Sequence, residues 1–280
     1  SFDFALYPET LATRGRFPLY EPDPVVAKSV LFAESLETYA TASTAAKVLD
    51  RFGGFRSTGF STSFWFNRNT GSVSANIGMM AIGSTFIGHP FSDYKDGFNV
   101  LFENHSTEYL MSAKVVSEPG PTSYIRALPA SAPLSASVWY HIVFVFPPGS
   151  INGTDSAPPV MYVNGVSASS VIVTQNGANV SGWTASDMQD RGLTLGRDLS
   201  FGSYREYDGY MCDVAFFTAS LSQANVNTLY NGGVRVSVDS LPEFTDSLVS
   251  FYRLGNGGTS GTPDAIVPSF YDSVTLNRGS

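Results

Sequence analysis

Apolar and polar positions along this chain alternate in short runs. Phe60-Ser61-Thr62-Ser63-Phe64-Trp65-Phe66 sets Phe60, Phe64 and Phe66 on one face of an extended segment, because successive strand residues point to opposite sides. Val138-Trp139-Tyr140-His141-Ile142-Val143-Phe144-Val145-Phe146 is longer and rich in β-branched and aromatic residues, which fit a pleated, buried surface. Val160-Met161-Tyr162-Val163 reads as a strand, and Asn164-Gly165 after it is the signature of a tight hairpin into Val166. Leu193-Thr194-Leu195-Gly196 is another short strand. Tyr210 to Phe217 follows the turn at Asp208-Gly209, and Phe98 to Phe102, Tyr109 to Val116 and Tyr124 to Leu128 add further β-rich runs. Long helical periodicity is absent, so the pattern predicts an all-β, antiparallel sandwich.

One helix interrupts it, over 222–231. Ser222 supplies the cap, Val226, Leu229 and Tyr230 fall at helical spacing, and Gly232-Gly233 ends it. A last strand, Ser247 to Leu254, runs into the glycine-rich turn Gly255-Asn256-Gly257-Gly258. The segments from Pro147 to Pro159 and from Gln175 to Asp190 are polar and turn-rich, as surface loops are. Residues 1–24 carry Pro8, Pro18, Pro22 and Pro24 among scattered aromatics. Proline removes ladder donors, so this stretch reads as an extended arm lying on a surface. The division expected is an arm at 1–24, a sandwich at 25–233 and an extension with an extra strand at 234–280. Arm and extension are expected to work mainly between subunits of an oligomer, as elements that reach across subunits do.

Charge and composition narrow the partners. The net charge of −8 and the lack of any basic run argue against nucleic acid, whose binding needs Lys and Arg to neutralise phosphates. No apolar stretch is long enough to cross a membrane. Cys212 is the one cysteine, so an intrachain disulfide is excluded. Strict alternation sets it on the face of Tyr210, Val214 and Phe216, as a small buried hydrophobe rather than a reactive thiol. The start at Ser1 fits either a removed signal peptide or a lost initiator Met. Sequons at Asn104, Asn152 and Asn179 are of the number chance gives in a chain this rich in Ser, Thr and Asn.

Five segments in order, "FSTSFWFN" at 60–67, "WYHIVFVF" at 139–146, "MYVNGV" at 161–166, "LTLGRD" at 193–198 and "YDGYMCDVAFFTASLSQANVNTLYNGG" at 207–233, resemble the laminin-G-like branch of the concanavalin A-like lectin/glucanase superfamily. The resemblance implies a concanavalin A-like jelly roll over roughly 25–233. The continuation into "VRVSVDSLPEFTDSLVSFYRLGNGG" is similar to proteins of marine phages and other aquatic viruses. At the strand after Asp208 the family commonly has Asp where this chain has Cys212.

The superfamily includes glucanases, which set catalytic carboxylates on one strand as Glu-x-Asp-x-x-Glu; that run does not occur here. Asp208 and Asp213, five apart, fall on opposite strand faces, so a pair flanking a glycosidic bond is not formed. His89 and His105 sit in turn-like sequence, and His141 matches the family's Trp-x-His as a structural histidine. No catalytic residue is assigned. Laminin-G-like domains often hold calcium at a loop rim through Asp carboxylates; Asp187, Asp190 and Asp198 are the better candidates, and the pair Asp93 and Asp96 the poorer. No cofactor is required. A glycan would stack on exposed aromatics, for which Trp183, Tyr204 and Tyr207 stand out in polar sequence.

The functional expectation is a non-catalytic sandwich that presents a surface. It is a structural or decorating component of a virus particle with glycan or host-surface recognition, or alternatively a secreted carbohydrate-binding or adhesion module. Its partners are subunits of an assembly or surface glycans, and its place is the virion surface or the extracellular space.

Overall fold

The computed structural model describes residues 30–32, 40–42, 58–69, 77–83, 97–105, 108–116, 123–127, 134–147, 159–168, 170–171, 192–196 and 205–252. Its first strands are β1 (Val30–Phe32), β2 (Ala40–Ala42), β3 (Phe60–Arg68), β4 (Ile77–Gly83), β5 (Gly97–His105), β6 (Glu108–Val116) and β7 (Ser123–Ala127). Then come β8 (Trp139–Phe146), β9 (Val160–Val163), β10 (Val166–Ala168), β11 (Ser170–Val171), β12 (Gly192–Leu195), β13 (Arg205–Glu206) and β14 (Gly209–Phe217). The helix α1 (Gln223–Tyr230), three short 3-10 turns and β15 (Leu248–Tyr252) follow. A seven-stranded sheet runs β1-β14-β3-β8-β9-β10, with β15 also on β14. An eight-stranded sheet runs β11-β7-β6-β5-β4-β12-β2, with β13 also on β4. The β13–β4 pair is parallel; neighbours such as β3–β8 and β5–β6 are antiparallel. Among the described residues the fold is the expected all-β sandwich, with α1 as its one complete helix.

The core lies between the sheets. Phe60, Phe64 and Phe66 of β3, with Phe144 and Phe146 of β8, meet Phe98, Val100, Phe102, Met111, Leu193 and Leu195 of the other sheet. Phe60 meets Phe98 edge-on at 5.2 Å, and Phe66 meets Phe102 edge-on at 5.4 Å. Such pairs contribute about 0.5–1.5 kcal/mol beyond the area they bury. A second core covers the other face of the seven-stranded sheet. There Val143, Val145, Ala215, Phe217 and Phe251 lie under Val226 and Leu229 of α1, Val238 and Phe244. Burial on both faces explains why β8 and β14 are nearly unbroken apolar runs.

Local chemistry sets the ends of α1. Ser222 Oγ accepts from the Asn225 amide at 3.2 Å, and Asn225 Oδ1 accepts from the Ser222 amide at 3.0 Å, a reciprocal capping box. Asn231, at φ 46°, stops the helix in the left-handed region. The Asn164-Gly165 hairpin forms as expected, with both residues at positive φ (49° and 79°).

Two expectations are corrected. The sandwich does not end at 233: β15 pairs with β14 of its own chain, Ala215 opposite Phe251 and Val214 opposite Tyr252. The reason is that β1 covers only Val30↔Met211 to Phe32↔Gly209 of that edge, and the rest of the edge of β14 needs a partner for its backbone groups. The sandwich therefore runs on to Tyr252 rather than ending at 233. The arm at 1–24 and residues 253–280 lie outside the described residues.

The second correction concerns Cys212. The β14–β3 register shifts between Cys212 and Ala215, where Asp213 takes φ 50°. This bulge resets the alternation. Cys212 lies opposite Trp65 and Met211 opposite Phe66, so Cys212 shares a face with Tyr210 but not with Val214 and Phe216. It is buried, as expected. Burial, then the neighbouring Asp213 charge, push its thiol well above the ordinary range, so it is a poor nucleophile at neutral pH.

Candidate functional site

Trp183, Tyr204, Asp187, Asp190 and Asp198 lie outside the described residues, as do His89, Asp93 and Asp96. Tyr207 is described, and it is not a stacking ring: it is fully buried. Its hydroxyl donates to the carbonyl of Asn67 at 2.8 Å, and the carbonyl of Tyr210 lies within reach at 3.1 Å. Burial pushes this phenol well above its ordinary pKa, with Arg68 opposing. The turn that follows hid this role, because Asp208-Gly209 reads as loop. Gly209, at φ +155°, lets the backbone come so close that a Cβ there would lie 2.2 Å from the Asn67 carbonyl oxygen and 2.6 Å from the Tyr207 hydroxyl.

His141 is structural. It lies opposite Trp65 on β3, and its Nε2 is 2.8 Å from Ser63 Oγ. Its ring meets Trp65 at 4.9 Å and Tyr230 of α1 at 6.0 Å. Nδ1 is buried with no hydrogen-bond partner. Burial drives the pKa down to about 3, so the imidazole is neutral at pH 7. A general base needs a route to a substrate proton; this ring is sealed between a sheet and a helix.

Two described acids are also engaged. Asp213 is buried and takes a two-pronged grip from Arg235, Nη2 to Oδ1 at 2.6 Å and Nε to Oδ2. Burial lowers the Arg235 pKa, and the bond to Asp213 outweighs it and raises the pKa overall. Asp208 accepts from Asn69 Nδ2 at 3.3 Å. Among the described residues no three His, Cys, Asp or Glu side chains gather to hold a metal ion.

The outer face of the eight-stranded sheet offers a different constellation. Its inner face is fixed by Val100, Phe102, Met111, Ala113, Leu193 and Leu195 in the core. Alternation then sets one register row on the opposite face: Tyr124↔Lys114, Lys114↔Asn99, Asn99↔Ala81, Ala81↔Thr194 and Thr194↔Thr41. These are hydrogen-bonding residue types on adjacent strands, about 4.8 Å apart, around one small residue. Ala81 in this row is itself buried at 9% exposure, and in the neighbouring row Leu101 and Ser112 are fully buried, so the face is not bare.

The comparisons agree with this architecture. Among curated proteins no sequence matches. A solved structure of botulinum neurotoxin type C, described by the dependence of its cell entry on two ganglioside molecules, is 14% identical; the match covers 85% of this chain and 48% of the toxin's, with a TM-score of 0.52. The enzymatically active domain of tailspike protein 2 of bacteriophage CBA120 is 17% identical over 89% of this chain and 35% of its own, at a TM-score of 0.48. NanB sialidase from Streptococcus pneumoniae is 14% identical over 71% of this chain and 27% of its own, at 0.46. This chain thus spans half or less of each of these longer chains, and its likeness to the neurotoxin is one of fold alone. A family model for laminin-G-like domains matches residues 38–227, most of the sandwich described above, and on that match the chain belongs to the concanavalin A-like lectin/glucanases superfamily.

Proposed function

We propose that this domain is a non-catalytic recognition module for glycans, exposed on a virus particle or a cell exterior. The observation that carries the reading is the register row Tyr124, Lys114, Asn99, Thr194 and Thr41 on the outer face of the eight-stranded sheet. Donor and acceptor types at strand spacing match the hydroxyls along a sugar chain, and an aromatic at one end suits its apolar face. Trp183 and Tyr204 are proposed as further contacts from the loops. A calcium ion held by Asp187, Asp190 and Asp198 belongs to the same reading.

Against catalysis stand the engagement of His141 with Ser63 and of Asp213 with Arg235. The virus-particle setting now rests on the arm at 1–24, since β15 is committed to its own sheet. A glycan array probed with the whole chain, with and without EDTA, tests recognition. Lys114→Ala and Tyr124→Ala should each weaken binding about ten-fold, roughly the loss of one good contact. Unchanged binding in both would remove the sheet face from the proposal. Incubation with β-glucans, alginate and xylan should release no sugar, and turnover would overturn the non-catalytic reading.

A further inference from the structure

The face of the seven-stranded sheet that α1 covers carries two half-buried rings at its end. Along it, one row past the His141–Trp65–Cys212 row, Tyr210 lies opposite Asn67 and Asn67 opposite Trp139. Trp139 and Tyr210 are both half-buried, and their rings approach to 6.4 Å, tilted at 41°. Neighbouring strands sit about 4.8 Å apart, so two residues with a strand between them start nearly 10 Å apart. The rings therefore lean toward each other over Asn67.

Three details distinguish this pair from ordinary packing. Asn67 is 5% exposed, yet among the described residues its side-chain amide makes no hydrogen bond, and neither amide atom is among the sealed polar atoms. A buried amide is normally bonded; this one is left to a group from outside. Trp139 Nε1 is sealed without a partner, so what the indole shows to solvent is hydrocarbon. Val138, beside it, is 43% exposed. Finally, the buried Tyr207 hydroxyl reaches the backbone carbonyls of both Asn67 and Tyr210, and so fixes the backbone that carries the amide and one ring.

We infer that Trp139, Tyr210 and Asn67 form a subsite for a neutral sugar ring, on the sheet opposite the one that carries the proposed glycan row. The apolar C–H face of the sugar rests on the two rings, and a hydroxyl exchanges hydrogen bonds with the Asn67 amide, which both donates and accepts. Asp208, two residues before Tyr210, and the net charge of −8 disfavour an acidic sugar. Tyr207 is a positioning residue here and touches no ligand. The inference rests on the reading of the domain as a glycan-recognition module, but puts a subsite where that reading does not.

The test is isothermal titration of the full chain with cellohexaose, xylohexaose and mannohexaose, and with sialyllactose as the acidic counterpart. At least one neutral hexasaccharide should bind. Tyr210→Ala and Asn67→Ser should each weaken it about ten-fold or more. Trp139→Phe preserves aromatic packing, so it keeps the test open if Tyr210→Ala does not fold; it should abolish the binding-induced change in tryptophan emission. Binding that survives all the folded variants overturns the subsite and leaves the recognition reading standing. Binding of sialyllactose alone overturns the neutral-sugar assignment. No binding of any oligosaccharide overturns both readings.

Discussion

Arg235 closes on the carboxylate of Asp213 through two of its nitrogens, and so ties the segment after α1 to the bulge in the middle of β14. Both side chains are buried or nearly so, at 4% exposure for Asp213 and 13% for Arg235. Salt screens such a pair little. Removing one partner strands the other charge, which typically costs about 3–5 kcal/mol. Asp213→Asn is the clean probe, because Asn tolerates the left-handed backbone that position requires. Urea denaturation should show a loss of that order. The double variant Asp213→Asn, Arg235→Met should recover much of it.

His141 predicts how the fold responds to acid. Its folded pKa, about 3, lies below the unfolded value near 6.5. The native state thus binds fewer protons than the unfolded chain between these values. The contribution is fully present above pH 6.5 and is lost as pH falls toward 3, by about 1.4 kcal/mol per unit. Unfolding free energies at pH 7.5, 5.5 and 4.5 should fall more steeply for the wild type than for His141→Gln. Parallel slopes would show that the ring does not stay neutral.

The chain past residue 233 should prove divisible. Deleting 253–280 leaves β15 and its register on β14 in place, and the product should melt cooperatively. Deleting 248–280 strips Phe251 and Tyr252, both buried, and exposes the lower edge of β14. That product should aggregate or fail to fold. Phe251→Ala alone should cost about 3–5 kcal/mol, as buried Phe truncations do.

Gly209→Ala tests the close approach at the start of β14. A methyl group there would meet the Asn67 carbonyl oxygen at 2.2 Å. The backbone must yield, at a cost of about 1–3 kcal/mol, and the bridge from Tyr207 to Asn67 and Tyr210 should loosen with it. Thermal melting and tyrosine absorbance under alkaline titration report the two effects separately.

Most strands were legible because period-two patterning survives where one face is buried, as in Phe60, Phe64 and Phe66. The helix was legible from Ser222 and the spacing of Val226 and Leu229. The bulge at Asp213 was not. Nothing in Met211-Cys212-Asp213-Val214 distinguishes a regular strand from one with an extra residue, so strict alternation set Cys212 on the wrong side of Val214. Tyr207 was misread for a related reason. Its neighbours Arg205, Glu206 and Asp208 are polar, and only the pairing of Gly209 with Arg68 draws its ring inward. Asn67, at the end of a strand read from its apolar residues, gave no signal, because a free amide is a property of the packed state.

The two ends of the described sandwich meet on one strand. Val30 opens β1 opposite Met211, and Tyr252 closes β15 opposite Val214, so the chain comes in and goes out at neighbouring points on the same edge of β14. A pull on the flanking chain would pass through a few residue pairs there and leave the rest of both sheets slack. A fold wired this way takes its load at one seam, like a pendant on a single link, and keeps the packing of its two faces outside the path of the force.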